Sequence, residues 1–148
     1  MSTQMSRLLL VDDDPVVRIL TQQDLLRDGY EVMEAENGRL AMEKVRGWHP
    51  DLILLDVMMP EMDGFAFCAW LRAQPFGAHV PVLMMTGLDD EPSIQRAFEA
   101  GATDFITKST NHAILTHRVR FLLRASQVLR DLSSSRQMSD AIRCFCGS

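Results

Sequence analysis

Leu52-Ile53-Leu54-Leu55-Asp56-Val57-Met58-Met59-Pro60-Glu61-Met62-Asp63-Gly64 is the stretch whose reading decides the fold. Four aliphatic residues in succession, opened by Asp51, have the pattern of a strand buried on both faces. A carboxylate, Asp56, stands where that strand should end. Pro60 stops the strand, and Asp63-Gly64 closes the loop before the next helical pattern. Ligands of open α/β sheets gather outside the carboxyl ends of the strands, so Asp56 is offered where chemistry happens. Taken alone, it reads equally well as a residue that merely caps its loop. The rest of the chain decides between the two.

Outward from this stretch the same unit repeats. Arg7 to Asp12 is a short apolar run that ends in acids, a first buried strand with Asp12, Asp13 and Asp14 at its carboxyl end. Asp14 suits an N-cap and Pro15 the first turn of a helix. Val16, Ile19, Leu20 and Leu26 carry the helical period to Asp28, and Gly29 caps it. Tyr30 to Ala35 is the second strand, and Asn37-Gly38 turns the chain into a helix over Arg39 to Arg46. After the third strand, Phe65 to Arg72 is helical, with Phe67, Ala69 and Trp70 available for packing, and Gln74-Pro75 ends it. Val80 to Met85 is the fourth strand, ending at Thr86-Gly87. Asp89 to Glu91 bring negative charge to the start of a fourth helix, with Pro92 in its first turn and Gly101 as its cap. Thr103 to Thr107 is the fifth strand, Lys108 stands at its end, and a last helix begins near Asn111. Five strands alternating with five helices demand a parallel sheet with right-handed crossovers.

Composition narrows the function classes. With 148 residues, 47% of them hydrophobic and 24% charged, the chain fits one globular domain and an appendage. No apolar run approaches the roughly 18 residues that span a bilayer. Met1 to Arg7 carries no signal-peptide core, so a cytoplasmic protein without membrane contact is expected. Cys68 reads as a small core residue, while Cys144 and Cys146 have neither zinc nor redox spacing. An odd count without framework spacing argues against secretion. Residues 1–110 hold 9 basic against 18 acidic side chains, and residues 111–148 hold 6 against 2. That acidic body excludes a nucleic-acid footprint over the main domain. The arginines of the tail read first as a solvated helix face, and an acidic partner is the other option. His49, His79, His112 and His117 are scattered without ligand spacing and read as surface residues.

The informative point is what the strand ends carry. Strand one ends in Asp12-Asp13, strand three in Asp56, strand four in Thr86 and strand five in Lys108. All of these converge on one rim of the sheet. Close carboxylates repel one another and invite a divalent cation, and Mg²⁺ takes oxygen ligands from one or two carboxylates, water and phosphate. A carboxylate can also attack a phosphoryl group and form an aspartyl phosphate. Phosphoryl transfer needs little beyond positioning and charge neutralisation, which Mg²⁺ and Lys108 would supply, with the Thr86 hydroxyl as donor.

These residues carry a resemblance to the receiver domain of two-component response regulators. It rests on Leu-Val-Asp-Asp-Asp-Pro at 10–15, Asp-Val-Met-Met-Pro-Glu-Met-Asp-Gly at 56–64, Thr86-Gly87, Ala-Gly-Ala-Thr-Asp-Phe at 100–105, and Lys108. The resemblance covers residues 6–125 and implies a flavodoxin-like five-stranded parallel sheet, order 2-1-3-4-5, with five helices and an extended last helix. It implies phosphorylation of Asp56 by a sensor histidine kinase or phosphotransfer protein. Asp13, Asp56 and the main-chain carbonyl of Met58 would bind Mg²⁺ directly, and Asp12 through water. Thr86 and Lys108 would hold the phosphoryl oxygens, and Phe105 is the switch aromatic that signals to an α4-β5-α5 face. The chain would then be no enzyme beyond its own phosphorylation and dephosphorylation.

Two positions depart from the family pattern. Lys108 is followed by Ser109 where the family has proline, and a cis bond before a non-proline costs about 2.5–4 kcal/mol, so a trans bond and a shifted loop are expected. Met58 and Leu88 stand at the positions that tune hydrolysis, and neither side chain can orient water, which implies a long-lived phosphoryl state. Residues 126–148 form an extension. Leu115, Val119, Leu122, Ser126 and Leu129 sketch a coiled-coil seam for a homodimer, or equally a long helix whose first half packs on the sheet. Ser133-Ser134-Ser135 suggests a linker, with another element over Met138 to Phe145 and an output domain beyond. Two other readings compete. One is a receiver fold that binds partners without phosphorylation. The other is a Mg²⁺-dependent aspartyl phosphohydrolase, for which Asp12 and Asp14 have the spacing but Pro15 breaks the motif and Asp56 goes unused.

Overall fold

In the computed structural model, residues 5–87, 91–108 and 111–146 are described, with side chains as far as Leu132. The order is β1 (Arg7–Val11), α1 (Pro15–Arg27), β2 (Glu31–Ala35), α2 (Gly38–Gly47), β3 (Leu52–Asp56) and α3 (Gly64–Ala73). A 3₁₀ turn at Pro75–Gly77 follows, then β4 (Val82–Thr86), α4 (Glu91–Glu99), β5 (Asp104–Thr107) and α5 (His112–Cys146). The strands pair in parallel in the order β2-β1-β3-β4-β5. The doubly wound α/β sheet expected from the sequence is therefore the fold.

Covering both faces explains the uninterrupted apolar runs. Every residue of β3 and β4 is buried, as is β1 from Leu8 onward. Leu9, Val11, Ile53, Leu55, Val82 and Met84 point to the side covered by α2, α3 and α4, where they meet Ala41, Val45, Phe67, Cys68, Leu71 and Ala97. Leu8, Leu10, Leu52, Leu54, Leu83 and Met85 point to the other side, against Leu25 of α1 and Val119 and Leu122 of α5. Each such leucine contributes about 2 kcal/mol relative to exposure. The register pairs Val11 with both Ala35 and Leu55, Asp56 with Met85, and Thr86 with Thr107. Side chains just past these positions therefore meet along one edge.

The caps follow the sequence. Asp14 accepts from the Val16 and Val17 amides, Asn37 from Leu40, and Asp63 from Ala66. Gly29 and Gly101, at φ 91° and 106°, take the left-handed conformation that ends α1 and α4.

Three expectations are corrected. First, β4 begins at Val82 rather than Val80, because Pro81 has no N–H to give the ladder. Second, α1 does not bury Val16, Ile19, Leu20 and Leu26; Val16 is 63% and Leu20 56% exposed, while Thr21 and Leu25 face the sheet. Apolar residues lie on two sides of this helix, so the period fits either and packing chooses Leu25. In α3, likewise, Phe67 is buried but Ala69 is exposed. Third, α5 runs without a break through the three serines to Cys146. Serine costs a helix only roughly 0.5 kcal/mol relative to alanine, too little to stop it without Gly or Pro. Val119 and Leu122 are buried on the sheet with Leu115 and Leu123 packed beside them, whereas Leu129 is 66% exposed. Among the described residues no helix is long and apolar enough to cross a membrane.

Candidate functional site

Past the last ladder pair of β1, the Asp12 amide still donates to Ala35 O at 3.1 Å, holding the chain on the β2 side. The chain then turns sharply, and the Asp14 amide donates to Asp12 Oδ1 at 2.9 Å. This turn leaves Asp14 to cap α1 at 2.9 Å from the Val16 amide. Asp14 is thus exposed and engaged away from the rim, so Asp12 and Asp14 do not form a joint acid pair.

Asp56 is the last residue of β3. Its Oδ1 accepts from the Met58 amide at 3.3 Å, and the loop folds back so that the Gly64 amide donates to Val57 O at 2.9 Å. A Cβ on Gly64 would lie 2.4 Å from Asp56 O, so only glycine permits this return. Glu61, in the same loop, takes φ 68°. At the end of β5, the Lys108 amide donates to Thr86 O at 2.8 Å, which sets the lysine beside the end of β4.

The side chains then converge. Lys108 Nζ stands 3.1 Å from Asp56 Oδ2 and 3.4 Å from Asp12 Oδ2. Asp12, Asp56 and Thr86 are each buried to 1% exposure or less. One carboxylate oxygen from each of Asp12, Asp13 and Asp56 lies within 4.8 Å of the others. The lysine contacts are ion pairs off the hydrogen-bond direction, for Asp12 Oδ2 and Asp56 Oδ2 are buried without a hydrogen-bond donor. Such orphaned oxygens are costly in a stable core. Burial, then the Asp12 charge, pushes the Asp56 carboxyl up to about 6, against the pull of Lys108 and the Met58 amide. Burial draws Lys108 down, but the close Asp56 and Asp12 carboxylates prevail and raise it.

Three carboxylates against one ammonium form a hard, oxygen-rich and undercompensated cluster. Two unfilled buried oxygens fit a divalent cation such as Mg²⁺. The fold therefore brings Asp12, Asp13, Asp56 and Lys108 together, as their positions at strand ends implied. Thr86 is buried at the end of β4, one residue beyond the partner of Asp56. Met58 lies two residues past Asp56 with its side chain in solvent, and Phe105 lies half-buried on β5 against the core. Leu88 and the Lys108–Ser109 bond lie outside the described residues. Sequence reasoning passed over Arg18, whose Nη1 donates to Asp12 O at 2.8 Å. A basic residue one turn beyond an acidic triplet was the only signal for it.

Comparison with known proteins agrees with this geometry. The family model described as response regulator receiver domain matches residues 8–120. The response regulator PleD of Caulobacter vibrioides is 40% identical over 127 residues, which cover 86% of this chain and 28% of that protein. The alkaline phosphatase synthesis transcriptional regulatory protein PhoP of Bacillus subtilis is 38% identical over 122 residues, covering 82% of this chain and 50% of that protein. Among solved structures, the signal receiver domain of a signal transduction histidine kinase from Syntrophus aciditrophicus superposes with a TM-score of 0.77. It shares 39% identity and covers 81% of this chain and 91% of that one. The chain thus spans half or less of the two curated relatives.

Proposed function

The chain belongs to the response regulator receiver domain family, and from that premise we propose that Asp56 accepts a phosphoryl group from a sensor histidine kinase or phosphotransfer protein. The observation that carries this reading is Asp56 Oδ2: buried, without a hydrogen-bond donor, and 3.1 Å from Lys108 Nζ. A carboxylate so placed is held back by its neighbours and available to an electrophile. In the transfer, an Asp56 oxygen forms the bond to phosphorus as the donor's bond breaks, and the electron pair leaves with the donor atom. Asp13, Asp56 and the Met58 carbonyl would hold Mg²⁺, with Asp12 through water, and the bound ion would supply charge neutralisation.

The chain's own residues do the rest. Lys108 exchanges its Asp56 contact for a phosphoryl oxygen, and the Thr86 hydroxyl donates to another. Drawing Thr86 inward frees space for Phe105, and the α4-β5-α5 face changes shape for an output partner. Met58 presents only an exposed thioether beside the acceptor, which cannot orient water, so the phosphoryl state is long-lived. Val16, Ile19, Leu20 and Leu26, exposed along the helix that starts at the acidic rim, offer an apolar strip on which a helical phosphoryl donor can seat. Residues 6–125 form this cytoplasmic receiver. Residues 126–148 are the extension, with α5 running to Cys146, and lead to an output domain or a second copy. Such a chain turns over no external substrate.

Incubation with Mg²⁺ and a small-molecule phosphoryl donor, followed by intact mass, tests the proposal. The expected result is one phosphoryl adduct on wild type and none on Asp56→Asn. Absence of the adduct on both would leave a receiver fold that signals by binding alone.

A further inference from the structure

We infer that Arg18 is a positioning residue for the metal-binding acids, acting through the Asp12–Asp13 peptide. The inference rests on the reading of Asp12, Asp13 and Asp56 as a Mg²⁺ site. Asp12 lies one residue past the last ladder pair, where β1 pairs Val11 with Ala35 on one side and Leu55 on the other. Its amide is held by Ala35 O, but its carbonyl has left the ladder. Because Asp12 is fully buried, that carbonyl needs a donor from the protein. Arg18, one turn into α1, supplies it from Nη1 at 2.8 Å.

The other side of the guanidinium faces a carboxylate without a hydrogen bond. Arg18 Nε lies 3.7 Å from Glu34 Oε1 of β2, and the Arg18 side chain is only 18% exposed. Glu34 Oε1 is itself buried without a hydrogen-bond donor. Lys44 Nζ donates to the main-chain oxygen of the same glutamate. The planar guanidinium donates to the carbonyl along a fixed direction that a point charge does not hold, with Glu34 as a nearby counter-charge only.

The consequence reaches Asp13. The carbonyl that Arg18 holds belongs to the peptide linking Asp12 to Asp13, so its plane sets where the Asp13 side chain leaves the backbone. Asp13 is exposed, and with the plane as it stands its carboxylate reaches within 4.8 Å of the two buried ones. Arg18 therefore orients a ligand it does not touch, as outer-shell partners of metal ligands do. Without it, the Asp12 carbonyl turns toward another donor and carries Asp13 away from the cluster.

Calorimetric titration of Mg²⁺ into the metal-free protein tests this, alongside the Asp13 amide resonance and the thermal midpoint. Arg18→Gln is expected to weaken Mg²⁺ binding by roughly 10-fold and to move the Asp13 amide before any metal is added. Arg18→Lys, a donor without the fork, is expected to recover part of the affinity. Glu34→Gln, which leaves the Arg18–Asp12 bond in place, is expected to bind Mg²⁺ like wild type. A folded Arg18→Gln with a lowered midpoint but wild-type Mg²⁺ affinity would overturn the inference, leaving a structural arginine. Equal weakening in Glu34→Gln would also overturn it, since the carbonyl would not be the route. If Arg18→Gln does not fold, Arg18→Lys and Glu34→Gln decide by the same comparison. Wild type that takes up no Mg²⁺ would overturn the site reading itself, whereas Mg²⁺ binding without a phosphoryl adduct would overturn only the transfer.

Discussion

At the amino end of the sheet, the Arg72 guanidinium fills four acceptors: Gly77 O at 2.8 Å, Val80 O at 2.6 Å, Gly101 O at 2.9 Å and Thr103 Oγ1 at 3.3 Å. At the carboxyl end, Asp12 Oδ2 and Asp56 Oδ2 are more deeply buried yet have no hydrogen-bond donor. One edge of the same sheet thus closes its polar account, tying the 3₁₀ turn, the start of β4 and the α4–β5 loop to α3. The other leaves like charges crowded around a single lysine. The difference teaches where stability and function have been separated. Hydrogen-bonded donors rigidify the amino edge, while unsatisfied acceptors leave the carboxyl edge fit to receive a divalent cation.

Arg72→Met gives the largest expected effect, because it strands several main-chain carbonyls in partial burial. Orphaned acceptors cost about 1–3 kcal/mol each, so a loss of about 3–5 kcal/mol is expected in urea unfolding. A loss under about 1 kcal/mol would dissolve the contrast between the two edges.

Asp56→Asn should act in the opposite sense and stabilise the metal-free protein at neutral pH. With the folded carboxyl up from 3.8 to about 6, the native state binds more protons than the unfolded chain between these values. Stability from this group is therefore greatest at low pH and falls as pH rises from about 4 to about 6, by at most about 3 kcal/mol. Thermal melts across that window should show the slope in wild type and lose it in the variant. A wild type whose stability climbs there faster than the variant's would mean that the edge is compensated after all.

Lys108→Met sharpens the same contrast. Removing the ammonium 3.1 Å from Asp56 should move the carboxyl further above 6, seen as a later midpoint when the aspartate signals are followed by NMR. An unmoved midpoint would show that burial alone sets it. The smallest effect is expected at Glu61, whose φ of 68° strains a side-chain-bearing residue. Glu61→Gly should stabilise by about 1 kcal/mol, since the 3.7 Å contact it gives up with Arg39 is an exposed pair of little worth. Destabilisation instead would show that the ion pair outweighs the strain.

The carboxyl edge was legible in the sequence because each of its parts ends a strand. Asp12, Asp56, Thr86 and Lys108 follow apolar runs that can be read one at a time, and the parallel topology then forces them together. The amino edge was not legible. Arg72 meets acceptors 5, 8, 29 and 31 residues away, and nothing local marks any of them. Arg18 escaped for the same reason, its target being a carbonyl that carries no sequence identity. The face of α1 was misjudged because two apolar stripes share one helix, and only contact with Leu8 and Leu10 chooses Leu25. The serines of α5 misled in the other direction, as residues that favour turns also continue a helix already nucleated.

That last helix has a mechanical meaning. Its apolar anchors on the sheet end at Leu122 and Leu123, yet the helix continues to Cys146. Arg130 still reaches Asp51 Oδ1 at 3.9 Å, and at 1.5 Å per residue about 24 Å of helix follows it. A tilt of about 5° at Arg130 would displace the far end by about 2 Å. A small shift beneath α5 would reach the end of the helix enlarged.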